Sequence, residues 1–322
     1  MRAKRVDICK KFDSAFILLF FHLKTIAQDS LVVVFWNMEN FFDHIDKGGG
    51  EADTEFSSGG SRHWTAGRFF TKCDAVAKSF MWMEDRYGRM PDLIGLAEIE
   101  NREVLVKLLK YTLLRKYDYK IIHYDSSDRR GIDVALLYRM SVMSPVDMTL
   151  KTPQYEGRKL STRDILHSRM RLPDGRYIDF IVNHHPSKFG GEGASEGRRY
   201  AAMTALKELC DSIGNVNVVA MGDFNDSPEG AAFQLIDGTL TNKGMELHRK
   251  GEGTIRYEGR WELIDMFLTG PGVDAEMEIC RMPFHIVRES KHPGDKPFRT
   301  YSGPRYIGGI SDHFPVVLKI FY

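Results

Sequence analysis

Val219-Ala220-Met221-Gly222-Asp223-Phe224-Asn225-Asp226 reads as a β-strand ending in a glycine turn that carries a carboxylate and a carboxamide two residues apart. Apolar residues run up to Met221, so Asp223 and Asn225 are expected just past the strand end, with both side chains free to converge on a ligand. A lone Asx turn of this kind is common and usually structural. Four more stretches of similar form shift the balance towards a site: Phe35-Trp36-Asn37-Met38-Glu39-Asn40, Gly95-Leu96-Ala97-Glu98-Ile99-Glu100, Ile181-Val182-Asn183-His184 and Ser311-Asp312-His313-Phe314-Pro315.

Working outward, Leu31 to Trp36 is a β-branched apolar run that reads as a buried first strand, and 46–62, with two glycine clusters, reads as a flexible loop. Thr65 to Arg86 follows with Phe69, Cys73, Val76, Phe80 and Met83 at helical spacing, then a strand over Leu93 to Ala97 and an amphipathic helix over 102–115. Strands are expected at 119–123, 132–139, 163–171 and 177–183, the last two joined at Pro173-Asp174-Gly175. A helix near 194–213 leads into the strand at 216–221. Shorter strands lie near 262–268 and 315–321, with an irregular stretch at 285–310 between them. Strands mixed with covering helices and a hairpin predict α/β layers with mixed sheets, because the gaps between 119 and 183 are too short for helical crossovers. No repeat or linker-like shift divides the chain.

The 322 residues, 43% of them hydrophobic, can bury a sizeable core, which excludes disordered and fibrous classes. Residues 1–27 hold six of the basic and two of the acidic residues, which leaves 39 against 42 and a net charge of −3. That balance gives no global basic footprint for tight nucleic-acid binding. The N-terminus has the three-part form of a secretory signal: Arg2, Lys4, Arg5, Lys10 and Lys11, the apolar run Ala15 to Leu23, then Thr25-Ile26-Ala27. Export with cleavage after Ala27 is therefore expected, leaving a mature domain over 28–322 with no transmembrane segment and a periplasmic or extracellular location. Cys9 would go with the signal. Cys73, Cys210 and Cys280 are too far apart in sequence for a zinc motif or a disulfide framework and allow at most one bridge.

The five motifs, in this order across nearly the whole mature chain, resemble the endonuclease/exonuclease/phosphatase family, which includes pancreatic deoxyribonuclease, apurinic endonucleases, inositol polyphosphate phosphatases and bacterial sphingomyelinases. The resemblance implies a four-layer α/β/β/α sandwich with two mixed sheets face to face and a site at their shared edge. Phosphodiester hydrolysis needs a hard cation, a group that deprotonates water and donors around the transition-state charge. Carboxylates and amide oxygens without thiolate suit Mg²⁺ or Mn²⁺.

By resemblance, Asn37, Glu39, Glu98 and Asp312 are metal ligands, Asp312 alternatively orienting a histidine. Glu39 stands where apurinic endonucleases carry a shorter carboxylate. Asp223 would orient or deprotonate the attacking water, Asn225 would donate hydrogen bonds to the phosphate or the water, and His313 would contact the scissile phosphate with Asp265 keeping it protonated. His184 matches a second active-site histidine, preferred over His185 because successive residues on a strand face opposite ways. Asp133 is a candidate partner acid for His184, and Arg163 resembles a phosphate-contacting arginine. The implied function is a secreted metal-dependent phosphodiesterase, nuclease-like, acting on DNA or RNA. A sphingomyelinase-like or other phosphatase activity is the alternative, and a non-catalytic binding module the distant one. No obligate protein partner is evident.

Overall fold

The computed structural model describes residues 30–188 and 192–322, so the expected leader at 1–27 lies outside the described residues. Two six-stranded sheets pack face to face. The first is built around β1 (Ser30–Phe41) and β2 (Leu93–Ile99), which run parallel with Val33 opposite Leu93. A parallel pair needs a crossover, which is supplied by helix α1 (Ala66–Tyr87). Thr65 caps its N-terminus by accepting from Arg68 N, and Gly88 closes it at φ 73°. Helix α2 (Arg102–Tyr111) then leads to β3 (Tyr119–His123) and β4 (Asp133–Arg139).

The second sheet contains β5 (Ser144–Lys151), β6 (Ile165–Arg171), β7 (Tyr177–His184), β8 (Val218–Asp223) and β9 (Asp265–Thr269), with Thr241–Asn242 at its edge. It repeats the logic of the first: β7 and β8 are parallel, and helix α3 (Glu192–Ile213) crosses between them. The chain returns to the first sheet through β10 (Asp274–Ile279) and β11 (Val316–Phe321), giving the order β10-β11-β1-β2-β4-β3.

Alternation along the strands sorts the core into layers. Leu31, Val33 and Phe35 of β1 meet Val219 and Met221 of β8 between the sheets. Val32, Val34 and Trp36 turn outward onto α1, while Val218 and Ala220 turn outward onto Met203, Leu206 and Leu209 of α3. The result is the α/β/β/α sandwich. Because both faces of β1 and β8 are covered, each reads as an unbroken apolar run.

The sheets leave little room at the strand end that carries Asp223. A Cβ on Gly222 would stand 2.5 Å from the Asn183 carbonyl oxygen on the neighbouring strand. Gly222→Ala is therefore expected to lower stability by about 1–3 kcal/mol, measured as a drop in the urea midpoint; an unchanged midpoint would contradict the packing.

Several segments differ from expectation. The expected flexible loop at 46–62 contains a short helix, Glu51–Glu55, tied back by Glu51 N to Arg129 O at 2.8 Å. Helix α2 stops at Tyr111, because Thr112 Oγ1 both donates to Leu108 O and accepts from Leu114 N to start a separate 3₁₀ turn. The stretch 285–310 holds two hairpins, Ile286–Glu289 with Gly294–Pro297 and Tyr301–Ser302 with Arg305–Tyr306. Cys73, Cys210 and Cys280 are buried free thiols, so no bridge joins any two of them. Among the described residues no helix is long and apolar enough to cross a membrane.

Candidate active site

Parallel pairing brings the C-terminal ends of β1 and β2 to one edge of the first sheet, and those of β7 and β8 to one edge of the second. Stacking the sheets puts these four ends together. Asn37, Glu39, Glu98, His184 and Asp223 therefore meet, joined by Asp265, which pairs with Asp223 in the β8–β9 register, and by the Ser311–His313 turn before β11. Asn37 Nδ2 donates to Asp223 Oδ2 at 3.0 Å and so links the two sheets directly.

The backbone is bent where these side chains leave it. The β1–β2 register breaks between Asn37 and Phe41, and the β2–β4 register breaks between Ala97 and Ile99. Glu39, Asn40, Glu98 and Asn225 all take left-handed φ values of 48°, 51°, 60° and 51°. Such backbone costs on the order of 1 kcal/mol or more per residue and persists only where surrounding bonds enforce it. Here Glu98 Oε2 accepts from Asn40 N at 2.7 Å, Asn37 Oδ1 from Glu39 N at 3.0 Å, and Asp223 Oδ1 from Asn225 N at 2.9 Å.

His313 Nδ1 lies 2.8 Å from Asp265 Oδ2, which also accepts from Thr254 Oγ1. Asp312 Oδ1 is 3.9 Å from the other ring nitrogen, and Asp312 Oδ2 meets Arg299 at 3.0 Å. His184 Nε2 stands 3.6 Å from Asp223 Oδ2. His185 faces the other way and packs edge-on against Phe224. Arg163 is buried on the flank, its two Nη atoms donating to Asp128 and to His185 O. The Glu39 carboxylate accepts from Thr300 N at 2.6 Å and from Arg299 at 3.3 Å. Asp133 does not serve His184: its Oδ2 lies 3.3 Å from His123 Nε2 and its Oδ1 accepts from Ser126 N, so the acid beside His184 is Asp223.

Three cations join the site that the motifs did not point to. Lys72 is buried in α1 and donates to Glu39 O at 2.7 Å and to Thr300 Oγ1 at 3.0 Å. Its position among Phe69, Cys73 and Val76 put a lysine on the apolar face of the helix, a signal visible in the sequence. Arg130 bonds Asn40 Oδ1 and lies 3.6 Å from Glu98 Oε1. Arg299 bridges Glu39 and Asp312. The two arginines come from loops with no motif of their own.

Burial and crowding of like charges push Glu39 up to about 7, with Asp312 as its main acidic neighbour. Burial and Asp265 likewise push Asp223 up to about 7. At His313 burial opposes the charge, but Asp265 and Asp223 outweigh it and hold the imidazolium well above the usual histidine range. Burial, Arg163 and Arg130 keep His184 neutral. The donor set of carboxylate and amide oxygens, without thiolate, fits a hard divalent cation. Asp223, Asp265 and His313 also lie close enough together to share one ion, as do His123, Asp125 and Asp133.

Burial pushes His185 down to about 3. In the unfolded chain it protonates near 6.5, so the unfolded state binds more protons below that pH. Its contribution to stability is complete above about 6.5 and is lost as pH falls towards 3. His185→Phe, which keeps the aromatic contact with Phe224, is expected to flatten the acid side of the stability–pH curve by on the order of 1 kcal/mol per pH unit in urea titrations. Parallel curves for wild type and variant would refute it.

The sequence profile described as the Endonuclease/Exonuclease/phosphatase family matches residues 32–321. No curated protein sequence matches the chain. Among solved structures it is similar to an endonuclease/exonuclease/phosphatase family protein from Bacteroides thetaiotaomicron, with TM-score 0.60 and 16% identity over 91% of this chain and 98% of that one. It is also similar to the human Nocturnin catalytic domain with bound sulfate, with TM-score 0.58 and 14% identity over 91% and 95%. The B. thetaiotaomicron mannosyl-6-phosphatase Bt3783 has TM-score 0.58 and 14% identity over 91% and 100%. Those likenesses concern the fold, while the profile match spans the chain from β1 to β11. The chain belongs to the endonuclease/exonuclease/phosphatase family of phosphoester hydrolases.

Proposed function

We infer that this protein is an exported, Mg²⁺- or Mn²⁺-dependent phosphodiesterase of nuclease-like type. The observation that carries the reading is the gathering, at one shared sheet edge around Asp223, of oxygen ligands (Asn37, Glu98, Asp312) and hydrogen-bond donors (Asn225, His184, His313), which is what a phosphate ester with a bound cation requires. Glu98, Asp312, Asn37 and Glu39 would hold the ion. When bound, it supplies a Lewis acid for a non-bridging phosphate oxygen.

Asp223, its oxygens fixed by Asn37 Nδ2 and Asn225 N, accepts the proton of the attacking water. Asn225 donates to the phosphate or the water. His313, charged and oriented by Asp265, stabilises the charge that develops on the phosphate oxygens, and neutral His184 donates a further hydrogen bond. Arg163 contacts phosphate from the flank. A diester is favoured over a monoester because a cavity of about 330 Å³ lined by Lys188, Asn225, Ile255, Tyr257, Glu262 and Ile264 adjoins Asn225 and has room for a second ester group. Another cavity, of about 330 Å³, lies beside Arg163.

A substrate panel tests the reading: plasmid DNA, RNA, abasic duplex, sphingomyelin, inositol phosphates and bis(4-nitrophenyl) phosphate, each with Mg²⁺, Mn²⁺ or chelator. Diester cleavage with either ion, lost in chelator, is expected, with DNA or RNA preferred. Cleavage of monoesters alone would transfer the assignment to a phosphatase, and full rates in excess chelator would remove the metal. Export is tested by mass spectrometry of the mature protein, which is expected to begin at Gln28; another N-terminus or cytoplasmic retention would overturn it.

A further inference from the structure

The cavity beside Arg163 is lined by Arg129, Ser161, Thr162, Arg163, Ser187 and Arg198 together with Leu160 and Pro186, so among the described residues it has three guanidinium groups, three hydroxyls and no acidic residue. Thr162 and Arg163 are 5% and 7% exposed, yet Thr162 Oγ1, Arg163 Nε and Arg198 Nε find no acceptor among the described residues. Buried donors are ordinarily paired, so orphaned ones gathered at a cavity wall mark a place built for an acceptor from outside. Two of these cations also hold acids outside the cavity lining. Asp128 holds Arg163 Nη1 at 3.0 Å and Glu51 holds Arg129 at 2.6 Å.

The cavity also touches the centre. Arg163 Nη2 and Asn225 Nδ2 donate to the same oxygen, His185 O, at 3.1 and 3.0 Å, so the two nitrogens lie within about 6 Å of each other. We propose that this cavity is a second anion subsite that receives another phosphate group of the same substrate molecule, next to the phosphate being cleaved. The proposal rests on the phosphoesterase reading for its direction, since it places the second phosphate on the Arg163 side of the scissile one. Guanidinium forks and hydroxyls suit a tetrahedral oxyanion with several acceptor oxygens. The substrates favoured are consequently those with two phosphates a few ångströms apart rather than isolated monoesters or diesters.

Two substrates that differ in one group provide the test: thymidine 5′-(4-nitrophenyl phosphate) and the same compound carrying a 3′-phosphate. The 3′-phosphorylated compound is expected to show a KM lower by about tenfold or more, the worth of one good charge-assisted hydrogen bond. Arg198→Gln and, separately, Thr162→Val are expected to erase that advantage while leaving the rate on the singly phosphorylated compound unchanged. Equal KM values for the two compounds, or an advantage that survives both variants, would overturn the subsite.

Calorimetric titration of chelator-treated protein with inorganic phosphate separates this outcome from failure of the phosphoesterase reading, because it requires no turnover. Binding that is weakened by Arg198→Gln and by Arg129→Ala is expected. If phosphate binds in that manner and no phosphoester is hydrolysed, the subsite stands and the catalytic reading falls. Absence of binding, or binding indifferent to both variants, removes the subsite.

Discussion

Glu98→Gln is expected to lower kcat by on the order of 10³-fold or more while the protein unfolds at the wild-type temperature. Glu98 sits at the bulge that ends β2, with φ 60°, and one of its oxygens accepts from Asn40 N at 2.7 Å. Glutamine retains an acceptor oxygen at that place, so the left-handed turn at Glu39 and Asn40 survives. What disappears is the negative charge that a divalent cation requires. Titration with Mn²⁺ followed by electron paramagnetic resonance is expected to show weakened binding in step with the loss of rate. Full activity in the variant would remove Glu98 from the metal site.

The second large effect concerns Asp223 and His313, which need opposite protonation states in one site. Asp223→Asn is expected to lose several orders of magnitude in turnover and still bind substrate. His313→Ala is expected to lose roughly 3 kcal/mol or more of transition-state stabilisation, comparable with removal of a strong oxyanion donor. The pH–rate profile carries the signature. Asp223 works as its carboxylate, so the rate rises as pH passes its pKa, which burial and Asp265 raise above the ordinary carboxylate range. His313 works as the imidazolium, so the rate falls as pH passes its own raised pKa. His313→Ala is expected to remove the basic limb, and Asp265→Asn to move it to lower pH, since Asp265 is what holds the proton on the ring. A double variant no worse than either single one would show that the two act as a unit. Near-wild-type turnover in Asp223→Asn would shift the base to another group such as His184.

Much of this is legible in the amino-acid sequence. The runs Leu31 to Trp36 and Val218 to Met221 are apolar on both faces because each lies between a helix layer and the opposite sheet, and each ends in polar residues where the sheet ends. Strand β5 was hidden because it is an exposed edge that begins Ser144-Pro145 and shows Val146, Met148 and Leu150 to solvent, the reverse of the usual core signal. Strand β10 alternates Asp274, Glu276 and Glu278 with Ala275, Met277 and Ile279, and its high charge masked a regular period. Arg130 and Arg299 could not be read from local pattern. Each reaches the site from a loop, and Glu98 and Glu39, which they meet there, lie 32 and 260 positions away in the chain.

The placement of β11 has a consequence for how the chain is made. This strand lies between β10 and β1, with Ser30 opposite Phe321, so β1 has only β2 beside it until the last strand arrives. Synthesis runs from the N-terminus, and a growing chain that has reached Ile279 already holds β1 with one edge of unpaired amides and carbonyls along Leu31 to Phe35. An open apolar edge of this kind invites pairing with other chains. The nascent protein is therefore open to self-association until Val316–Phe321 is made, and a chain ending before Val316 would lack the strand that both closes that edge and anchors the turn bearing Asp312 and His313.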